Sequence, residues 1–457
     1  MAAMTETLWL RHPAVCWTGN GANADNGLVV EGSRIRELVP AGHEPSGHYA
    51  HTFDASGHVL LPGLINTHHH FYQTLTRALP RALNKPLFPW LESLYPVWAN
   101  LDDDAIHAAT ELALSELLLS GCTTAADHHY VFSQLIPRAI DVQVAAAKRM
   151  GARVTLTRGS MSFGELAGGL PPESVIEPEP VILSESARLI RAYHDPDPEA
   201  LCRIALAPCS PFSVTPELMR DTANLAEEHD VLLHTHLGET RDETDFCIQS
   251  HGQRPLDYLE DVGWLTPRTW LAHGIHFTDD EIRRIADSGT AVCHCPTSNM
   301  LLGSGHFRGC DMHRAGVRVG LGVDGSASND GSNMIQEARQ AMLMQKLTYG
   351  ADQFSHLDAL ALATSGGAQL LGRPELGQLA PGKQADLALF SLDEPRFSGH
   401  ADPLAALLLC GAHRADHVMV GGQWKVRHGG LVDHDIQEIM ARHKQAAERL
   451  IRRAAPA

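Results

Sequence analysis

The chain has 457 residues, 44% of them apolar and 20% charged, and a net charge of −18. That composition suits a folded protein with a large core and excludes a disordered chain, while the acidic balance argues against a nucleic-acid or anionic-membrane partner. Nine cysteines are scattered without a Cys-x-x-Cys pair, Cys293 and Cys295 being the nearest neighbours, a pattern of free thiols in a reducing, cytoplasmic setting. The opening residues lack a basic region ahead of a long apolar run, so no signal peptide is expected. No apolar stretch reaches the ~18 residues of a membrane span.

Residues 1–59 read as short strands and turns, with Leu28-Val29-Val30 and Ile35 on either side of Gly32-Ser33. From Leu60 the rhythm changes to apolar strands alternating with helical stretches. The run Leu60-Leu61-Pro62-Gly63-Leu64-Ile65 leads to a polar end that carries His68, His69 and His70. Side chains alternate along extended chain, so His68 and His70 face one way and His69 the other. Two imidazoles on one face can share a metal ion. Asp102 to Asp104 supply an N-cap and an acidic first turn for a helix that Gly121 stops. Further strands are expected over 123–127, 153–158, 203–208, 230–236, 269–273, 290–294 and 318–324. With the opening strand these make eight, which predicts an α/β fold with a TIM-type (β/α)8 barrel over 60–368. Residues 377–390 read as turn then strand, Gly421-Gly422 as the turn of a hairpin, and 436–453 as a helix. Segments 1–59 and 369–432 are expected to pair into one composite β-sandwich domain, with 433–457 as a C-terminal helix.

Barrel enzymes place their chemistry at the C-terminal ends of the strands. Read in order, those ends carry His68 and His70, Asp127, Arg158, Cys209, His236, His273, His294 and Asp324. His68, His70, His236 and Asp324 form a three-imidazole, one-carboxylate set that suits one catalytic Zn²⁺, with Fe²⁺ or Mn²⁺ as alternatives. His234 faces the same side as His236 but sits deeper in its strand. Asp324 could instead cap the Asp-Gly-Ser turn that it begins, although the apolar strand before it favours a buried ligand. Glu239, on the loop after His236, is placed to carry a proton, or else is a solvated acid beside Arg241. His273 is placed to orient a water or take its proton, or else is bonded to backbone.

His68-His69-His70 after Pro62-Gly63 resembles the His-x-His of the amidohydrolase superfamily. His236-Leu237-Gly238-Glu239, Leu271-Ala272-His273, His294-Cys295-Pro296-Thr297-Ser298-Asn299 and Asp324-Gly325-Ser326-Ala327-Ser328-Asn329-Asp330 resemble its aminohydrolase branch, which holds guanine deaminase, adenosylhomocysteine deaminases and triazine hydrolases. The resemblance implies one divalent metal on His68, His70, His236 and Asp324, proton transfer by Glu239, and assistance from His273 and Asp324. Relatives with two metals bridge them through a lysine on the fourth strand, and 204–209 contains none. By the same analogy Gln73, Trp90, Arg158 and Cys209 contact the substrate, or else Gln73 is an exposed amide at a helix start, Trp90 a core residue and Arg158 the partner of a loop acid. Thr157-Arg158-Gly159-Ser160-Met161-Ser162 and Ala126-Asp127-His128-His129-Tyr130 look most like members that deaminate 8-oxoguanine to urate and ammonia. The alternatives are guanine, isoxanthopterin or an aminotriazine as substrate, and a non-catalytic scaffold relative. The resemblance also implies a homo-oligomer, a small purine-like substrate and no nucleic-acid or membrane partner.

Overall fold

In the computed structural model, which describes residues 7–455, eight parallel strands close into a barrel. In chain order they are β1 (Leu64–Asn66), β2 (Cys122–His129), β3 (Arg153–Ser160), β4 (Cys202–Pro208), β5 (Leu233–Leu237), β6 (Thr269–His273), β7 (Ala291–His294) and β8 (Arg318–Leu321). Each pairs with its neighbours in sequence, and β8 pairs with β1 to complete the ring. Helices cover the outside, as a parallel sheet requires. The helix Asp103–Leu119 shows the local logic. Asp102 accepts the amide of Ala105 at 2.8 Å, two acids occupy the first turn, and Ile106, Leu112, Leu117 and Leu118 are buried.

The opening apolar run is two strands rather than one. His58–Pro62 pairs antiparallel with Leu387–Ser391 in an outer sheet, and the chain enters the barrel only at Leu64. Gly63 makes the transfer, because a Cβ there would lie 2.2 Å from Thr123 Oγ1. Both sides of Gly63 are apolar and buried, so hydrophobicity could not mark the break. Four other strand ends differ from the reading by two residues or more. β2 runs on to His129 and β3 to Ser160, β5 begins at Leu233, and β8 stops at Leu321, three residues before Asp324.

Strands from both chain ends build two further sheets, one of four strands from Thr7–Arg11 to His51–Asp54 and one of six. The six-stranded sheet takes Val15–Cys16 and His58–Pro62 from the start of the chain and four strands from Leu387 onward. Leu10, Leu28, Val30 and Ile35 of one sheet share a core with Leu60, Leu387, Leu389 and Met419 of the other. Against the barrel, the fully buried Arg153 of β3 grips Asp386 through two contacts of 3.1 Å. Asp386 also accepts the amide of Gly421 at 2.8 Å, so one carboxylate ties the outer sheet to the barrel floor. The helix Ile436–Arg453 packs against Asp103–Leu119. Among the described residues, no helix is long and apolar enough to cross a membrane.

Candidate metal centre and active site

The chemistry gathers beyond the C-terminal ends of the barrel strands. The short loop after β1 carries His68 and His70, β5 carries His236, and the turn after β8 carries Asp324. Asp324 Oδ1 lies 3.3 Å from both His68 Nε2 and His70 Nε2. His70 Nε2 lies 3.2 Å from His236 Nε2. All four side chains are buried, and His69 turns away to Ser332 at 2.8 Å, on the opposite side as alternation requires.

Proton accounting shows what these groups need. His70 Nδ1 donates to the carbonyl of His128 at 2.6 Å, and His236 Nδ1 donates to the carbonyl of Cys209 at 2.7 Å. His234 Nδ1 donates to the carbonyl of Trp270 at 2.9 Å, so its Nε2 accepts the Nδ1 proton of His68 at 2.8 Å. Every Nδ1 proton is therefore spent outward, and three Nε2 lone pairs converge with a carboxylate. Lone pairs at these separations repel unless a cation lies between them. His68 Nε2 has no hydrogen-bond partner in spite of full burial. Burial holds the pKa of His68 and of His236 well below the usual histidine value, which keeps both neutral. The donor set, three nitrogens and one oxygen with outward hydrogen bonds fixing each ring, fits a divalent metal.

Two of the functional residues sit in left-handed backbone, Asp324 at φ 63° and His273 at φ 76°. Such conformations are costly for residues other than glycine and concentrate at functional sites. Asp324 is clamped by the amide of Gly325 at 2.7 Å and by the hydroxyls of Ser298 and Ser328. Asn299 donates to His273 Nδ1 at 3.1 Å, which leaves the Nε2 proton of His273 aimed at Glu239 Oε2, 3.4 Å away, and at Asp324 Oδ2, 4.0 Å away. Burial lowers His273 to a pKa of about 4, so it stays neutral at pH 7 and acts as a donor. Glu239 is buried rather than solvated, and burial, then Asp324 and Glu243, raise its pKa well above the carboxylate norm. Glu243 holds the loop by accepting the amides of Gly238 and Glu239 at 2.9 and 2.8 Å.

Above these groups lies a narrow cleft. Its polar wall comprises His70, His236, Glu239, His273 and Asp324, and its apolar wall includes Leu87, Trp90, Leu91, Phe212 and Leu302. Gln73, Trp90 and Cys209 all reach it. Gln73 Oε1 is buried without a partner, next to Gly325, where a Cβ would collide with it at 1.9 Å. Arg158 does not reach the cleft. Its guanidinium is held by both oxygens of Glu177 at 2.9 Å and stacks over Phe132 at 3.9 Å, so the expected substrate contact is replaced by an ion pair. Asp127 is likewise consumed, by the amide of Phe71 at 2.6 Å and by Gln143 at 2.7 Å. His294 is buried and stacked on Phe307 at 4.1 Å, outside the cleft lining.

The sequence reading missed the relay role of His234, the presence of His128 among the clustered imidazoles, and the lining tyrosines Tyr95 and Tyr130. A signal for the first existed, since His234 shares a strand face with His236, but its partner Trp270 lies on another strand. Replacing His234 by alanine frees the His68 ring to rotate. The expected result is metal affinity roughly 10- to 100-fold weaker, read by competition with a chromogenic chelator; unchanged affinity would remove the relay from the account.

The chain matches the Amidohydrolase family over residues 59–425. It is 59% identical over 443 residues to the 8-oxoguanine deaminase of Pseudomonas aeruginosa, covering 97% of this chain and 99% of that protein. It is 38% identical over 400 residues to the hydroxydechloroatrazine ethylaminohydrolase of Pseudomonas sp. strain ADP, covering 86% and 82%. Among solved structures, the zinc complex of atrazine chlorohydrolase from Arthrobacter aurescens superposes with a TM-score of 0.90 at 32% identity, covering 96% of this chain and 100% of that one.

Proposed function

The chain belongs to the amidohydrolase family, and from that premise we propose that it is a metal-dependent hydrolytic deaminase that converts 8-oxoguanine and water to urate and ammonia. The observation that carries the reading is the convergence of three Nε2 lone pairs and the Asp324 carboxylate beneath a cleft that also contains Glu239. His68, His70, His236 and Asp324 would hold one divalent ion, with zinc favoured by the nitrogen-rich donor set. When bound, such an ion acidifies a water at neutral pH.

The chain's own residues supply the rest. Glu239 takes a proton from the attacking water and returns it to the ring nitrogen beside the carbon under attack. Burial and the nearby carboxylates of Asp324 and Glu243 raise its pKa, which makes it a stronger proton acceptor than an exposed glutamate. The Nε2 proton of His273 steadies the oxygen being added, and Asp324 Oδ2 accepts from it as negative charge moves. The remaining proton of the added water passes to the exocyclic amine as the carbon–nitrogen bond breaks, and ammonia leaves. Gln73 Oε1 needs a donor, which the edge of an amino-purine provides, while Trp90 and the leucines exclude water from the ring faces.

A triazine hydrolase is the competing reading, favoured by the triazine-hydrolysing relatives. An ammonia-release screen separates the two. We expect 8-oxoguanine to give urate and ammonia with a kcat/KM at least about tenfold above guanine, isoxanthopterin and aminotriazines, since a few hydrogen bonds can discriminate to that extent. Preferential release of chloride or alkylamine from triazines would overturn the assignment. Cytoplasmic residence belongs to the same reading, supported by nine cysteines that are all unpaired. So does a homo-oligomer, supported by Leu343 and Leu347, one turn apart on the helix Met334–Tyr349 and 39% and 88% exposed.

A further inference from the structure

A second convergence of metal-binding groups lies in the six-stranded outer sheet, away from the barrel mouth. His58 opens the strand His58–Pro62, and Asp416 precedes His417–Val420. Both strands flank Leu387–Ser391, with His58 opposite Ser391 and His417 opposite Leu389. Positions 389 and 391 share a strand face, so the two imidazoles emerge on the same side. Asp416 Oδ2 lies 2.9 Å from His58 Nε2 and 3.0 Å from His417 Nε2. One donor atom from each of the three residues lies within 4.8 Å of the others.

Proton accounting again exposes a mismatch. His58 Nδ1 donates to the carbonyl of Ser56 at 3.1 Å, which turns the Nε2 lone pair of a neutral ring toward the Asp416 carboxylate. Two lone pairs facing each other at 2.9 Å need a cation or a second proton between them. The same outward hydrogen bond fixes the tautomer and aim of a metal-binding histidine. His417 is only 2% exposed, and its Nδ1 has no hydrogen-bond partner. Phe53 and Trp424 wall the group, with ring centres 4.9 and 5.6 Å from His417, and the His428 ring stands 4.9 Å from it on the third side. The His58 and Asp416 side chains remain 15% and 26% exposed, which leaves an entry path and room for water.

We propose that His58, Asp416 and His417 bind a second divalent cation of the zinc type, which clasps the first strand of this sheet's central trio to its third. Two imidazoles and one carboxylate leave a tetrahedral ion one position for water or for His428. The role is structural: the ion joins a strand from the start of the chain to one near its end. The Arg153–Asp386 pair ties the same sheet to the barrel by other means.

The test counts zinc in the full-length protein after chelation, reloading and gel filtration. About two equivalents per chain are expected in the wild type, and about one in His58→Asn and in Asp416→Asn. Ammonia release at saturating substrate should stay within about twofold of wild type, because neither residue touches the cleft, and zinc should raise the melting temperature of the wild type more than that of either variant. Asp324→Ala, at the barrel mouth, should keep about one equivalent. If the wild type holds a single equivalent that survives His58→Asn but not Asp324→Ala, the clasp is refuted. If a single equivalent survives Asp324→Ala but not His58→Asn, the clasp stands and the barrel assignment falls. Should Asp416→Asn fail to fold, the partly exposed His58→Asn decides alone; full zinc content in that variant means that an imidazolium, not a metal, satisfies Asp416.

Discussion

Replacing Asp324 by alanine is expected to strip the barrel metal and to abolish measurable deamination. The change removes the carboxylate that lies 3.3 Å from His68 Nε2 and His70 Nε2, and leaves a divalent cation there with neutral ligands alone. It also deprives the Gly325 amide and the Ser298 and Ser328 hydroxyls of their acceptor. Loss of a group that merely orients a ligand costs about 10- to 100-fold, so loss of the ligand itself should exceed about a hundredfold in metal affinity. Alanine is also poorly suited to the φ of 63° at this position. Asn tolerates that conformation, so Asp324→Asn separates charge from backbone strain. Both variants should show the loss in metal content and in kcat/KM for ammonia release. Wild-type metal and turnover in Asp324→Asn would sink the assignment of this carboxylate.

Glu239→Gln should leave the metal in place and cut turnover by about 10²- to 10⁴-fold, the usual worth of a positioned acid–base group. A thousandfold loss corresponds to about 4 kcal/mol of transition-state stabilisation. The fold is expected to survive, because Glu243 and not Glu239 holds the backbone amides of this loop. Glutamine matches the size of glutamate but cannot accept and return a proton, so the loss should fall on kcat with KM little changed. The measurement is steady-state ammonia release together with metal content. Normal turnover would refute the proton-transfer role, and loss of metal would make Glu239 a ligand instead.

Much of the barrel was legible because β-strands and helices impose different periods on apolar residues, and the alternation from Leu60 to Ala368 carries both. The failures have local causes. Leu60-Leu61 and Leu64-Ile65 are equally apolar, so only the packing of Gly63 against Thr123 divides them between two sheets. Arg158 was placed at the substrate by analogy with the family, with pairing to a loop acid as the alternative, and its bonds to Glu177 match that alternative. Asp127 looked like a strand-end acid until β2 proved two residues longer. Each case turns on a partner remote in sequence, or on where hydrogen bonding between strands stops.

The amino-acid sequence by itself determined the kinds of group that reach the barrel mouth: imidazoles at 68, 70, 236 and 273, and carboxylates at 239 and 324. It could do so because strand periodicity and chain order already dictate which side chains emerge at that end. Only the tertiary structure decided which way each ring carries its proton. Those tautomers are set by the carbonyls of His128 on β2, Cys209 just past β4, and Trp270 on β6. Donor identity is a property of the residue, whereas lone-pair direction is a property of its hydrogen-bond partners, and those partners exist only once the barrel has closed.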